Sequence, residues 1–108
     1  MINDKNIELR KLAALFDGLG HYRRLLVVRA LQQAGAKGLS FGALAEATGI
    51  GETNLAHHVR MMGKGGVINT HNVGRFTFLT LNMENIAHSL AELNLHISPA
   101  KTVRGKPQ

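Results

Sequence analysis

Polar side chains recur at helical spacing in the segment TNLAHHVRMM, residues 53–62. Leu55, Val59 and Met62 stand at offsets of four and three, so one face of the predicted helix is apolar. The remaining positions present Thr53, Asn54, Ala56, His57 and Arg60. An Asn amide can form two hydrogen bonds to adenine, an Arg guanidinium can bond guanine or phosphate, and an Ala methyl can touch the thymine methyl. The pattern therefore predicts a helix whose polar face can contact base edges.

The residues before this helix predict a sharp turn. Two helices that meet at such a turn need a small residue where they cross, a residue free to adopt positive φ, and an apolar residue that packs the second helix on the first. Ala45, Gly49 and Leu55 meet these requirements in that order. Residues 44–62 are therefore predicted to form a helix-turn-helix.

Apolar periodicity predicts the helices that position this motif. They cover residues 3–19, 22–34, 41–48, 53–63 and 83–96. Ser40 and Asn82 are suitable N-caps for the third and last helices, while Gly35 and Gly49 are placed to end the second and third. Because the second helix is apolar nearly all round, we expect it at the centre of the fold.

Two segments after the fourth helix are rich in β-branched and aromatic residues, as strands are. They are VINTH, residues 67–71, and RFTFLTL, residues 75–81. The intervening residues predict a hairpin with Asn72 and Arg75 at its tip, within reach of the minor groove or the phosphate backbone. The element order α-α-α-α-β-β-α, mainly helical with a hairpin wing, predicts a winged helix-turn-helix fold.

Composition limits the class of protein. The chain has 108 residues, 13 Lys+Arg against 7 Asp+Glu, a formal charge of +6 and no cysteine. A chain of this length buries roughly 65% of its unfolded surface, which suits one domain. We assign that domain to residues 1–97 and expect residues 98–108 to be a disordered basic tail. The positive charge favours nucleic acid as a partner.

Several kinds of chemistry are missing from the sequence. The lack of cysteine excludes thiol catalysis, disulfides and cysteine-bound metals. No nucleophile–base pair, carboxylate pair or cofactor loop is visible, so we predict that the protein is not an enzyme. With no apolar run near the ~20 residues of a membrane span and a charged N-terminal segment, a cytoplasmic location is expected.

The sequence resembles the ArsR/SmtB type of winged-helix repressor in three segments. LFDGLGHYRRLLVVRAL is similar to the second helix of that family, TNLAHHVRMM to its recognition helix, and GGVINTHNVGRFTFLTL to its wing. The resemblance covers about residues 12–81. It implies a homodimer that binds a palindromic operator in double-stranded DNA and represses transcription, with the first and last helices pairing across the two-fold axis.

This resemblance and the residue pattern lead to further expectations for individual side chains. Dimer contacts are expected from Leu12, Leu15, Ile86, Leu90 and Leu93. Arg23, at the start of the second helix, suits either a phosphate contact or a solvated surface position. His58 is expected to face the interior of the motif and to donate a hydrogen bond to a backbone group.

The metal sites of the family do not carry over to this sequence. The third helix has no cysteine, and the last helix lacks the D-x-H-x10-H-x2-E/H spacing. Glu84, His88 and Glu92 share one helical face, but completing a site with them would require ligands from a dimer partner. We therefore predict no metal and no cofactor, and leave open an unknown small-molecule inducer.

Two functions of different classes fit these observations. One is a dimeric, sequence-specific DNA-binding repressor. The other is a winged-helix module that binds protein, as a subunit or antirepressor, without reading DNA sequence. A protein-binding face is expected to be apolar with aromatic anchors, whereas Asn54, His57 and Arg60, with few acids nearby, favour DNA.

Overall fold

The computed structural model describes the backbone of residues 4–97 and the side chains of residues 7–94. In this part of the chain the helices are α1 (Asp4–Leu19), α2 (Tyr22–Ala34), α3 (Phe41–Thr48), α4 (Glu52–Lys64) and α5 (Met83–Ile97). The strands are β1 (Leu39–Ser40), β2 (Ile68–Val73) and β3 (Phe76–Leu81), and a 3₁₀ turn follows α2 at Gly35–Lys37. The predicted fold class and element order are confirmed, with β1 and the 3₁₀ turn as additions. The predicted basic tail lies outside the described residues.

Side-chain caps fix where α3 and α5 begin. The Ser40 hydroxyl accepts a hydrogen bond from the Ala43 N–H at 3.2 Å, and the Asn82 amide oxygen accepts one from the Asn85 N–H at 3.1 Å. Each bond satisfies a backbone donor that the first helical turn leaves unpaired. Both predicted caps are therefore confirmed.

The three strands form an antiparallel sheet in the order β1-β3-β2. Leu39 lies opposite Leu79, which places β1 beside the hairpin. Two residues are too few to show strand alternation, so the sequence did not predict β1. The hairpin turn is also shorter than expected: Val73 pairs with Phe76, so β2 continues through Asn72 and the connection is only Gly74 and Arg75.

The core lies where α1–α4 meet the sheet. It is formed by buried apolar side chains, namely Leu15, Val27, Leu31, Leu44, Ile50, Leu55, Met62, Val67, Ile68 and Leu79. The helix α2 packs against α1, α3, α4 and β3, as expected of a central element. It is not enclosed on all sides, however, because Leu25 is 52% exposed.

Glycines allow α1 to approach the end of α4 closely. A Cβ atom on Gly65 would lie 2.5 Å from the Ala14 carbonyl oxygen and 3.1 Å from the Gly18 Cα atom. Real Cβ atoms essentially never come closer than 3.0 Å to such atoms. Gly65, which directly follows the last residue of α4, therefore allows the end of α4 to pack closely against α1.

None of the described helices combines the length and apolar character that a bilayer crossing requires.

Candidate nucleic-acid interface

The helix α4 has one face in the core and one in solvent. Leu55, His58 and Met62 are buried, and Val59 packs against the core from a half-buried position. The opposite face exposes all the residues predicted to contact bases: Thr53, Asn54, Ala56, His57 and Arg60. The predicted division of this helix is confirmed in its burial pattern, while its contact with DNA stays a prediction.

The turn between α3 and α4 has the predicted backbone geometry. Gly49 adopts the left-handed conformation, with φ 74° and ψ 11°, and its N–H donates to the Ala45 carbonyl at 2.9 Å. A residue with a Cβ atom rarely adopts this conformation. Ile50 then enters the core, and the first α4 turn closes with the Leu55 N–H donating to the Gly51 carbonyl at 2.8 Å.

Two of the exposed α4 side chains contact each other. The Arg60 Nη2 atom lies 3.2 Å from the His57 Nδ1 atom, a distance that suits a hydrogen bond from the guanidinium to the ring. A guanidinium has five N–H donors. This contact holds Arg60 on the outer face of α4 and leaves further donors for a ligand.

The hairpin presents its predicted residues to solvent. Arg75 is exposed in the two-residue turn, and Asn72, exposed on β2, accepts a hydrogen bond from the Thr77 hydroxyl at 3.1 Å. Val73 and Phe76 are also exposed, at 60% and 59%. The sequence pattern did not predict this apolar pair, because Val73 was expected in the connection and not in the last pair of the strands.

The start of α2 contains a cap that the sequence analysis missed. The Nδ1 atom of His21 accepts a hydrogen bond from the Arg23 N–H at 3.1 Å. The side chain of Arg23 is exposed, which is compatible with both of its predicted roles.

Arg24 differs from its neighbour, since it is only 9% exposed. Arg24 precedes Val27 by three residues and Leu31 by seven, and because both are buried this helical spacing could have indicated its position.

His58 is buried as predicted, but its hydrogen bond is not the expected one. Instead of donating to a backbone group, its Nδ1 atom accepts from Nε of Arg24 at 3.1 Å. Burial lowers the pKa of His58, and the neighbouring charges of His21 and Arg24 lower it further. Sequence alone could not find this pair, whose members are 34 positions apart.

The predicted dimer residues divide into two groups. Leu15 is 0% exposed and Leu12 only 5%, so both pack inside the protomer and offer almost no surface to a partner. Their assignment is corrected for this reason. Leu90 is 44% exposed, and Ile86 and Leu93 are half-buried. The same two helices also expose Ile7, Leu9, Phe16 and Met83.

The fold brings together three groups with metal-binding atoms. One ligand atom each from Glu8, His88 and Glu92 lies within 4.8 Å of the others. Glu8 is on α1 of the same protomer, so the expectation that further ligands must come from a partner is corrected for this cluster. Glu84 is not a member. The absence of a bound metal in the working protein stays a prediction.

Comparisons with known proteins place the fold but assign no family by sequence. No family model matches the chain, and no curated protein matches it. Among solved structures, the homodimeric winged helix-turn-helix DNA-binding domain of Mb0332 from Mycobacterium bovis, described as a possible ArsR-family transcriptional regulator, superposes with a TM-score of 0.72. The two sequences are 20% identical, and the match covers 93% of this chain and 96% of that one.

Two further solved structures are similar. HlyU from Vibrio cholerae has a TM-score of 0.64 and 23% identity, over 90% of this chain and 100% of that one. An ArsR family transcriptional regulator has a TM-score of 0.62 and 22% identity, over 85% of this chain and 96% of that one. The chain therefore has the winged helix-turn-helix fold seen in regulators of this type.

Proposed function

We propose that this protein is a sequence-specific DNA-binding transcriptional regulator of the ArsR type, that it acts as a homodimer, and that it is a repressor. The observation that supports this most directly is the outer face of α4. That face exposes hydrogen-bonding and methyl groups, while Leu55, His58 and Met62 on the opposite face are buried. A helix with this division can enter the major groove and present its early residues to base edges.

Charge supports the same conclusion. Arg60 and Lys64 on α4, Arg75 in the wing and Arg23 on α2 are exposed basic residues, and Glu52 is the one acid on α4. Basic residues on a winged helix supply phosphate contacts, which fix the register of a protein on the duplex. A face used to bind protein is expected to be apolar and depleted of charge at its centre. We therefore prefer DNA over a protein partner, and propose no enzymatic activity.

The dimer part of the proposal rests on α1 and α5. These helices pack against each other within the protomer and still expose large apolar side chains, among them Leu9, Phe16 and Leu90. A two-fold dimer through this surface would present two α4 helices. Such dimers bind pseudo-palindromic sites with half-sites one helical turn, about 34–36 Å, apart.

A cleft between α2 and α3 is a candidate place for a small-molecule inducer. Its volume is about 560 Å³, and its walls include the apolar Leu26 and Leu39 together with the polar Arg29 and Thr48. An occupant would touch α3 next to the turn that leads into α4. Control of DNA binding by such a molecule is part of the proposal, and the position of the cleft supports it.

Selection from random duplex DNA with the purified protein tests the proposal. We expect enrichment of a single pseudo-palindromic sequence. A parallel selection with divalent metal or with chelator should recover the same sequence, and affinity for it should change less than threefold because the sequence lacks thiolates and the family's ligand spacing. Failure to enrich any sequence would reject DNA reading, and a metal-dependent result would reject the prediction of a metal-independent regulator.

A further inference from the structure

Arg24 on α2 is a buried cation with an unusual set of acceptors. Its Nε atom donates to the Nδ1 atom of His58 at 3.1 Å, and its Nη1 atom donates to the main-chain carbonyl of Asp17 at 2.6 Å. Buried arginines are normally paired with carboxylates. Here one acceptor is an imidazole and the other is a carbonyl in the last turn of α1, where the helix dipole is negative. The guanidinium thus connects three helices, α1, α2 and α4.

The contact with Arg24 defines the protonation state of His58. A ring nitrogen accepts a hydrogen bond only when it carries no proton, so the neutral His58 ring must have its proton on Nε2. A protonated ring has two donors and no acceptor. It would then oppose the guanidinium with a like charge at the same distance, in a site that leaves only 6% of His58 exposed.

The other groups around His58 add to this conflict. The ring centroid of His21, which caps α2, lies 4.7 Å away, and that of His57 on α4 lies 5.7 Å away. Arg23 on α2 is a further positive neighbour. From α1 the contact is the Asp17 carbonyl, made through Arg24, while the Asp17 side chain is exposed. Each neighbour on α2 and α4 therefore opposes a charge on His58.

We infer that His58 is the positioning residue of α4. Its neutral ring holds this helix against α1 and α2 through the hydrogen bond with Arg24. Acidification breaks this hydrogen bond and thereby weakens operator binding. The consequence for DNA rests on the proposed function, whereas the hydrogen bond and its proton dependence do not. His58 is adjacent to His57 and two residues before Arg60, so a movement of its side chain out of the core would displace the outer face that those residues share.

The direction of the pH effect follows from the lowered pKa of His58 in the folded protein. In the unfolded chain the pKa is near the ordinary value of 6.5, so the unfolded state takes up the proton first as the pH falls. The contribution of His58 to stability is therefore complete above about pH 6.5. It is lost as the pH falls from there through the lower pKa of the folded state. Protonation of exposed histidines has the opposite effect on DNA binding, since added positive charge attracts phosphate.

The first experiment measures the ring directly and needs no DNA. Long-range ¹H–¹⁵N spectra of the ¹⁵N-labelled full chain report which ring nitrogen of each histidine carries the proton. We expect His58 to carry it on Nε2 at pH 7.5 and to titrate with a midpoint below 6.5. The variant His58→Asn assigns the signals. A proton on Nδ1, or a midpoint at or above 6.5, would overturn the inference.

The second experiment measures affinity for the selected DNA sequence at constant ionic strength. As the pH falls from 7.5 to 5.5 the wild type should lose affinity, because a protonated His58 ring can no longer accept the hydrogen bond from Arg24. His58→Asn keeps an acceptor oxygen at the position of Nδ1 and does not titrate, so it should bind like the wild type at pH 7.5 and lose much less on acidification. His88→Asn, which removes an exposed histidine on α5, is the matched control and should keep the wild-type profile.

A third variant separates positioning from packing. His58→Leu fills the site without an acceptor, and at pH 7.5 it should bind the selected DNA more weakly than His58→Asn. If His58→Leu is folded and binds like the wild type, or if His58→Asn retains the full loss on acidification, the positioning role is rejected. If His58→Leu does not fold, the ring ¹H–¹⁵N spectra and the pH dependence of DNA binding by His58→Asn test the positioning role instead. If no variant binds any DNA, the proposed function fails, and the ring spectra still test the hydrogen bond.

Discussion

Adjacent histidines on α4 have different environments and therefore different roles. His57 is exposed and contacts Arg60, whereas His58 is buried and contacts Arg24. Successive residues on a helix are about 100° apart, so one can face solvent while the next enters the core. The outer group is proposed to select DNA sequence, and the inner group to set the position of the helix.

Substitutions on the outer face should affect DNA binding without unfolding the protein. We expect Asn54→Ala and Arg60→Ala each to weaken binding to the selected sequence by about 1–3 kcal/mol, the range for bidentate base contacts. Fluorescence anisotropy at fixed salt measures this. Arg29→Ala, which removes the same charge from an exposed position on α2, is the control and should have a smaller effect. Unchanged affinity in both α4 variants would contradict the assignment of this face.

At the level of elements, the wing and the helix-turn-helix each contain a short turn in which a glycine adopts positive φ. The wing turn consists of two residues, of which Gly74 has φ +61°, and the α3–α4 turn depends on Gly49 at φ +74°. Gly49 was predicted from the sequence because glycine adopts positive φ without a steric cost.

The wing makes a separate prediction about salt dependence. If Arg75 contacts phosphate, Arg75→Ala should weaken binding to the selected and to random sequences by similar factors. The slope of log affinity against log salt concentration should fall by about 0.9 for the one lost contact. Titrations at several salt concentrations measure the slope, and Arg29→Ala again serves as the control. A loss confined to the selected sequence would indicate base reading by Arg75 instead.

The α3–α4 turn makes a prediction about stability. Gly49→Ala should reduce the free energy of unfolding by about 1–2 kcal/mol, the cost of placing a Cβ atom in the left-handed region. Gly42→Ala is the matched control, because Gly42 lies inside α3 and a Cβ atom there would meet no atom within 4 Å. That change should stabilise by about 0.5–1 kcal/mol through helix propensity. Denaturant unfolding compares the two, and equal effects would refute the turn argument.

At the scale of the whole molecule, the apolar residues of α1 and α5 fall into a buried group and an exposed group. Leu12 and Leu15 complete the core of the protomer, while Leu90 stays exposed at 44%. Large apolar side chains exposed together on two packed helices are typical of a surface that a partner subunit covers.

Assembly can be tested with one pair of leucines. Leu90→Glu would place an unpaired charge in the proposed interface, and should convert the dimer to monomer at micromolar concentration. Leu25→Glu alters a leucine of similar exposure on α2, and should leave the dimer intact. Sedimentation velocity distinguishes the two species. A wild-type monomer at this concentration, or dissociation by both substitutions, would contradict an α1–α5 interface.

The sequence by itself was sufficient for features that depend on neighbours along the chain. Caps such as Ser40, the positive-φ glycine Gly49 and the two faces of α4 depend on local geometry within a few residues. Periodicity of the apolar residues predicted which side of α4 is buried because a helix repeats every 3.6 residues. The order of helices and hairpin then specified the winged helix.

Only the tertiary structure decided the contacts between residues that are distant in the chain. The Arg24–His58 hydrogen bond, the approach of Glu8 to His88 and the pairing of β1 with β3 each depend on how the helices and strands pack. Periodicity also could not separate core from exposed surface on α1, since Leu15 and Phe16 are both apolar and only packing shows that one is buried and the other exposed. The physical reason is that local preferences fix each element, whereas the position of one element against another is set by side-chain packing over the whole chain.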